Sequence, residues 1–151
     1  MALDEDISIL SAVGLFEGFT QEQLRLLAFG AETTMLHAGH KLYREDDVAD
    51  SAYIVVSGRV VLYREQNGER IPISTVGPGT MLSELALITD TNRLTSAYAE
   101  VDSEVLRLSR KMFRRILEEY PDLAVQLHQR ISEQFQALVR RIEKLAPRFA
   151  G

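Results

Sequence analysis

Residues 77–87 read Gly-Pro-Gly-Thr-Met-Leu-Ser-Glu-Leu-Ala-Leu, and residues 92–96 read Asn-Arg-Leu-Thr-Ser. Glycine and proline mark turns, so these stretches lie in a turn-rich region between β-like runs. They contain one carboxylate, Glu84, and one guanidinium, Arg93. A planar guanidinium donates paired hydrogen bonds to a phosphate, and a carboxylate accepts hydrogen bonds from ribose hydroxyls. The pair therefore predicts a nucleotide site.

The segment resembles the phosphate-binding cassette of cyclic-nucleotide-binding domains, which usually reads Gly-Asp-Phe-Phe-Gly-Glu-Leu-Ala-Leu, then several residues, then Arg followed by small residues. Six positions match this pattern, namely Gly79, Glu84, Leu85, Ala86, Leu87 and Arg93. Upstream features follow the family's order and spacing, and they are Ala38-Gly39, the acids Glu45, Asp47 and Asp50, and the runs 53–58 and 76–79. Ordered agreement from about Leu15 to the C-terminus is far more specific than one short motif.

The resemblance implies that Glu84 holds the ribose and Arg93 the phosphate of a cyclic nucleotide similar to cyclic AMP or cyclic GMP. It implies no other cofactor. The candidate ligand-binding residues of the cassette are Ser83, Glu84, Leu85, Ala86, Arg93 and Thr95, with Leu85 and Ala86 lending backbone N–H groups.

Some positions depart from the family pattern. Ser83 replaces the cassette glycine, and Leu94 and Thr95 replace small residues after the arginine. Glycine serves where the backbone adopts positive φ or approaches a ligand closely, so Ser83 predicts either strain or a reshaped pocket. Asp46 replaces another glycine, and aspartate tolerates such turn conformations.

The predicted elements form a mainly β protein with flanking helices. Helices are expected over residues 7–13 and from a Thr20 capping box to Gly30, which would end the helix as a left-handed cap. Strands are predicted at 32–37, 41–44, 52–57, 59–65, 70–76, 94–100 and 104–108, with Asn67-Gly68 as the strongest hairpin signal. Short strands bounded by turns favour a closed or double-sheet architecture, and the resemblance implies a β jelly roll, or double-stranded β-helix.

A helix over 111–119, a break before Pro121 and a longer helix to about Leu145 complete the chain. The longer helix carries an apolar stripe of Ala124, Leu127, Ile131, Phe135, Leu138, Ile142 and Leu145. This spacing predicts burial of one face. The resemblance implies a homodimer through this helix, and packing on the chain's own barrel is the alternative.

We predict a single domain over residues 1–151, with N-terminal helices over residues 1–30. The β jelly roll spans 31–109 and contains the cassette, residues 79–96, and the C-terminal helices span 110–146. At 151 residues, with 46% hydrophobic and 26% charged residues, one core is expected.

The long helix bears on the identity of the base. In the catabolite-activator branch of the family, two polar residues of this helix reach the purine, and a gap-free count from Arg93 places them at Leu138 and Val139. Neither side chain hydrogen-bonds to a base, so selectivity must come from shape, apolar contact or other polar groups. Candidate substitutes are His128, Ser132 and Gln136.

The composition of the chain argues against membrane and nucleic-acid partners. No apolar stretch approaches the roughly 18–20 residues that cross a bilayer, the acidic start is unlike a targeting sequence, and cysteine is absent, so we expect a cytoplasmic protein with no membrane partner. A net charge of −5 argues against broad phosphate-backbone contact. Two basic clusters, within 107–115 and 140–148, are interpreted as solvated helix faces, with DNA binding by the basic helix as the alternative.

Catalytic and metal-binding patterns are missing from the sequence. His37 and His40 lack the further ligands of a metal site, no Gly-x-Ser-x-Gly elbow occurs, and Glu84 is a lone carboxylate. These absences argue against an enzyme, and the resemblance implies a regulatory ligand-binding module that transmits binding through its C-terminal helix. The alternatives are a degenerate domain that serves as a dimerisation or protein-interaction scaffold, and the sensor fragment of a longer transcription regulator.

Overall fold

The computed structural model describes the backbone of residues 2–150 and the side chains of residues 4–133, 135–137, 139–141 and 143–144. The helices are α1 (Ala2–Ser11), α2 (Gln21–Gly30), α3 (Arg110–Glu119) and α4 (Pro121–Ala150), with 3₁₀ turns at Gly14–Phe16 and Glu84–Leu87. The strands are β1 (Glu32–Leu36), β2 (Lys41–Tyr43), β3 (Val48–Ala49), β4 (Ser51–Ser57), β5 (Val60–Gln66), β6 (Glu69–Val76), β7 (Met81–Leu82), β8 (Thr91–Asn92), β9 (Ser96–Ala99) and β10 (Ser103–Ser109). Helices therefore flank a central β region on both sides in sequence.

The strands form two antiparallel four-stranded sheets, β1-β10-β4-β7 and β2-β9-β5-β6, and β3 pairs with β8. One buried cluster joins residues of both sheets, namely Val55, Val60, Leu62, Leu82, Ala97 and Val105. The predicted jelly-roll class with flanking helices is confirmed. The two-residue strands β3, β7 and β8 were not predicted, because so short a pairing carries no alternation of polar and apolar residues.

Two local predictions are confirmed by backbone geometry. Asn67 and Gly68, with φ of 54° and 80°, form the two-residue connection between β5 and β6. At the start of α2, Thr20 Oγ1 accepts a hydrogen bond from the Gln23 N–H at 3.2 Å, and Gln23 Oε1 accepts one from the Thr20 N–H at 2.8 Å. Both features are encoded within four consecutive residues.

The prediction that Gly30 forms a left-handed cap is wrong. Gly30 is the last residue of α2, its φ is not positive, and the extended Ala31 follows it. A Cβ at Gly30 would lie 2.6 Å from Met112 Cγ. The glycine therefore permits close packing of α2 against α3. Helix α1 also begins at Ala2, earlier than the predicted residue 7.

The first half of α4 packs on its own chain. Leu127 and Ile131 are fully buried in a cluster that includes Phe16 and Phe113. Arg130 Nη1 donates hydrogen bonds to the carbonyls of Leu15 and Glu17 at 3.0 and 2.8 Å. This part of the apolar stripe of α4 therefore packs within the chain, as the alternative to dimerisation predicts. The side chains of Leu138, Ile142 and Leu145 lie outside the described residues.

Candidate functional site

A cavity of about 280 Å³ lies between the cassette, strands β5 and β6, and helix α4. We call it the cassette cavity, and its volume is close to the lower end of the range of about 300–1,000 Å³ for small-molecule sites. All six candidate residues of the cassette line it, namely Ser83, Glu84, Leu85, Ala86, Arg93 and Thr95. The geometry therefore brings the predicted carboxylate and guanidinium to one cavity.

The Arg93 guanidinium is buried, with the residue only 5% exposed. Its Nη1 donates to the Ser51 carbonyl at 2.7 Å and its Nη2 to Ser51 Oγ at 3.3 Å, but its buried Nε has no hydrogen-bond partner among the described residues. None of the described carboxylates lies within 4.0 Å of it. A buried charge without a counterion is costly, so the site favours an anion.

The backbone of Arg93 is held by the turn before β3. The Arg93 N–H donates to the Asp47 carbonyl at 2.8 Å, and the Asp46 N–H donates to the Arg93 carbonyl at 2.9 Å. Asp46 has a φ of 71°, which agrees with the expectation that aspartate tolerates this turn. These bonds fix the arginine against the chain segment that leads into β3 and β4.

Two tyrosines, which the sequence analysis did not single out, adjoin the guanidinium. The Arg93 Cζ lies 4.6 Å from the ring centre of Tyr43 and 5.4 Å from that of Tyr53, and the two rings stack with centres 6.0 Å apart. Burial raises the pKa of Tyr43, although the nearby Ser83 and Thr95 side chains and Arg93 counteract this. At neutral pH the Tyr43 hydroxyl therefore remains protonated, and the Tyr43 residue forms part of the cavity wall.

Glu84 opens the 3₁₀ turn of the cassette. Burial raises the pKa of its carboxyl to about 7, and a hydrogen bond from its own backbone N–H acts in the opposite direction. Near neutral pH the carboxyl exchanges between a form that only accepts hydrogen bonds and one that also donates one. Both forms can hold a ribose hydroxyl.

Ser83 keeps the backbone conformation that the family's glycine serves. Its φ and ψ are 64° and 43°, in the left-handed region, so the serine is strained there. The Ala86 N–H already donates to the Ser83 carbonyl at 3.0 Å, whereas the first amides of a helical turn lack partners inside it. Of the two candidate amides, Leu85 is therefore better placed to serve a ligand than Ala86.

Helix α4 contributes residues that the sequence analysis did not expect to line the cavity. Phe135, Ala137 and Arg141 line it, whereas Val139 does not, and the Leu138 side chain lies outside the described residues. His128, Ser132 and Gln136 are exposed and do not line the cavity. Arg141 belongs to the cluster that was interpreted as a solvated face. A gap-free count along the chain does not determine which face of α4 turns inward.

The two histidines considered as metal ligands do not belong to a metal-binding cluster among the described residues. His37 and His40 lie edge to face with ring centres 5.6 Å apart, but the described residues contain no group of three or more metal-binding side chains. In the part of the chain described here, no helix combines the length and the apolar character needed to span a bilayer.

Comparison with known proteins identifies the family. The profile of the family "Cyclic nucleotide-binding domain" matches residues 33–120. A solved cyclic nucleotide-binding-like protein from Brucella abortus is 58% identical, with a TM-score of 0.71, over 76% of this chain and 99% of that chain. The regulatory domain of Toxoplasma gondii PKA with cAMP is 25% identical, with a TM-score of 0.74, over 87% of this chain and 50% of that one. The chain belongs to the cyclic nucleotide-binding domain family, a family of regulatory ligand-binding modules.

The match to curated proteins is confined to part of their length. The chain is 26% identical over 136 residues to lysophospholipase nte1 of Aspergillus fumigatus, which covers 89% of this chain and 9% of that protein. The similarity therefore concerns a small part of that enzyme, and its activity is not carried over to this chain.

Proposed function

We propose that the chain binds a cyclic nucleotide in the cassette cavity, with the phosphate on Arg93 and the ribose on Glu84. The observation that carries the proposal is the buried Arg93 guanidinium, which has an unpartnered Nε and no described counterion. A phosphate would supply both the missing acceptor and the missing negative charge. The similarity to a PKA regulatory domain solved with cAMP supports this class of ligand.

Transmission through α4 is the second part of the proposal. The helix contacts the cassette cavity through Phe135 and Arg141 and holds the N-terminal region through Arg130. A nucleotide that touches α4 differently in two arrangements of the helix shifts the balance between them. We also propose a homodimer through the rest of the apolar stripe. Light scattering should then give twice the 17.0 kDa of one chain. A measured mass of one chain would refute the proposed dimer and leave the proposed binding site unaffected.

Calorimetric titration with cyclic AMP and cyclic GMP tests the binding site. Arg93→Ala should weaken affinity at least about tenfold, because it deletes a charge-assisted contact. Arg93→Lys keeps the charge but loses the planar fork and should fall between wild type and Arg93→Ala. Arg59→Ala, which removes an exposed ion pair with Glu100 of 3.3 Å, is the matched control and should bind as wild type does.

The scaffold alternative predicts a different result with the unaltered protein. A ligand that binds only the folded state must raise the thermal midpoint. If neither nucleotide raises that midpoint at millimolar concentration, binding is absent and a protein-interaction role is favoured. The cytoplasmic location expected from the sequence stays a prediction.

A further inference from the structure

The second wall of the cassette cavity is chemically unlike the cassette. Leu62 of β5 and Val76 of β6 provide apolar surface, and Phe135 of α4 adds an aromatic ring. If phosphate and ribose occupy the cassette, as the proposed function requires, this wall remains for the base. Apolar side chains pack against the face of any purine, so they do not distinguish one purine from another.

Ser74 of β6 also lines this wall, and Arg141 of α4 brings a charge to it. The Arg141 Nη2 lies 3.5 Å from the Ile73 carbonyl, at the limit of a hydrogen bond, and none of the described carboxylates pairs with it. Ala137, one helical turn earlier, also lines the cavity and is too small to fill it. Most of the five N–H donors of Arg141 are therefore available at the edge of the cavity.

We propose that Arg141 reads the edge of the base and makes the site selective for guanine over adenine. This inference rests on the proposed function. Guanine presents two neighbouring acceptors, O6 and N7, whereas adenine presents N7 beside the N6 amino donor. A guanidinium has donors only, so it forms a pair of hydrogen bonds with guanine and opposes a donor with a donor on adenine.

Titration calorimetry with cyclic GMP, cyclic IMP and cyclic AMP tests the contact of Arg141 with the O6 and N7 edge of the base. Cyclic IMP keeps O6 and N7 but lacks the 2-amino group of cyclic GMP, so both should bind about tenfold or more tightly than cyclic AMP. In Arg141→Ala the three affinities should converge to within about threefold, with little change for cyclic AMP. Arg140→Ala, at the exposed neighbouring position outside the cavity lining, should retain the preference.

A ligand-side substitution first tests the same contact in the unaltered protein. The 7-deaza analogue of cyclic GMP lacks the N7 acceptor and should bind wild type several-fold more weakly than cyclic GMP. In Arg141→Ala the two should bind alike. Far-UV circular dichroism and the thermal midpoint check that Arg141→Ala is folded.

Two results overturn the guanine selectivity while leaving the proposed function in place. One is equal or tighter binding of cyclic AMP by wild type, with affinity still dependent on Arg93. The other is a cyclic GMP preference that survives in Arg141→Ala. If none of the three nucleotides binds wild type, the proposed function fails and the selectivity fails with it.

Discussion

The Arg93 guanidinium carbon lies 4.6 Å from the ring centre of Tyr43, whose hydroxyl lies near Ser83 and Thr95 on the cavity wall. A ring face attracts a cation without neutralising its charge. A carboxylate in the same place would pair with the arginine and compete with a phosphate. The tyrosine therefore helps to hold Arg93 in a buried position while leaving its charge for an anionic ligand.

Tyr43→Leu should weaken cyclic-nucleotide binding about tenfold and lower the free energy of unfolding by about 1–3 kcal/mol, because the cation loses a ring and the core loses volume. Tyr43→Phe keeps the ring, so its affinity should stay within about threefold of wild type. Calorimetry and urea unfolding measure the two effects.

Tyr98 offers a control for this comparison. Its ring centre lies 4.8 Å from the guanidinium carbon of Arg70, but Tyr98 does not line the cassette cavity. Tyr98→Leu should therefore cost stability without weakening affinity. An equal loss of affinity in Tyr98→Leu and Tyr43→Leu would show that general destabilisation, not the Arg93 contact, explains the effect.

The Glu84 carboxyl makes stability depend on pH near neutrality. Burial raises its pKa from 4.5 to about 7 in the folded state. Between these values the folded state binds more protons than the unfolded state, so this contribution is full below about pH 4.5 and is lost as the pH rises through about 7. From pH 5 to pH 8, wild type should lose about 1–3 kcal/mol of unfolding free energy relative to Glu84→Gln.

Urea unfolding at four values between pH 5 and pH 8 measures this difference. Glu133→Gln, which alters an exposed carboxylate on α4, should leave the wild-type pH dependence unchanged. Parallel pH profiles of wild type and Glu84→Gln would mean that the Glu84 carboxyl has the same pKa in the folded and unfolded states.

Parts of the fold and site are predictable because their signals are local. The Thr20 capping box and the Asn67-Gly68 turn each depend on a few consecutive residues whose backbone chemistry allows few alternatives. Glu84 and Arg93 lie nine positions apart in one segment, so the cassette pattern brings both to the same cavity.

The unpredicted parts depend on contacts between distant segments. Tyr43, Phe135 and Arg141 reach the cavity only through the packing of β2 and α4, and a tyrosine in a strand or an arginine in a basic helix carries no signal of that placement. Gly30 shows a related ambiguity. A glycine at a helix end suits both a left-handed cap and close helix packing, and only the position of Met112 distinguishes the two.

The left-handed backbone at Ser83 predicts that glycine stabilises this position. Ser83→Gly and Ser83→Ala both delete the hydroxyl, but only glycine relieves the strain of a φ of 64°. Ser83→Gly should therefore be about 1 kcal/mol more stable than Ser83→Ala in urea unfolding. At Ser57, where φ is not positive, the order should reverse. The same order at both positions would indicate that Ser83 is not strained.

Gly58 and Gly39 have similar positive φ values, but they differ in the space available to an added Cβ. Their φ values are 90° and 88°, but a Cβ at Gly39 meets nothing within 4 Å, whereas one at Gly58 would lie 2.7 Å from the Asp102 carbonyl oxygen and would collide with Ser103.

Ser103 has little room to retreat from such a Cβ, because its Oγ accepts the Arg59 N–H at 3.1 Å and donates to the Val101 carbonyl at 2.8 Å. Gly39→Ala should cost about 1–2 kcal/mol of unfolding free energy from the backbone alone. Gly58→Ala should cost at least about 1–3 kcal/mol more, because the added methyl overpacks the site. Urea unfolding of both variants measures the difference, and equal losses would show that the β4–β5 connection adjusts to the methyl without cost.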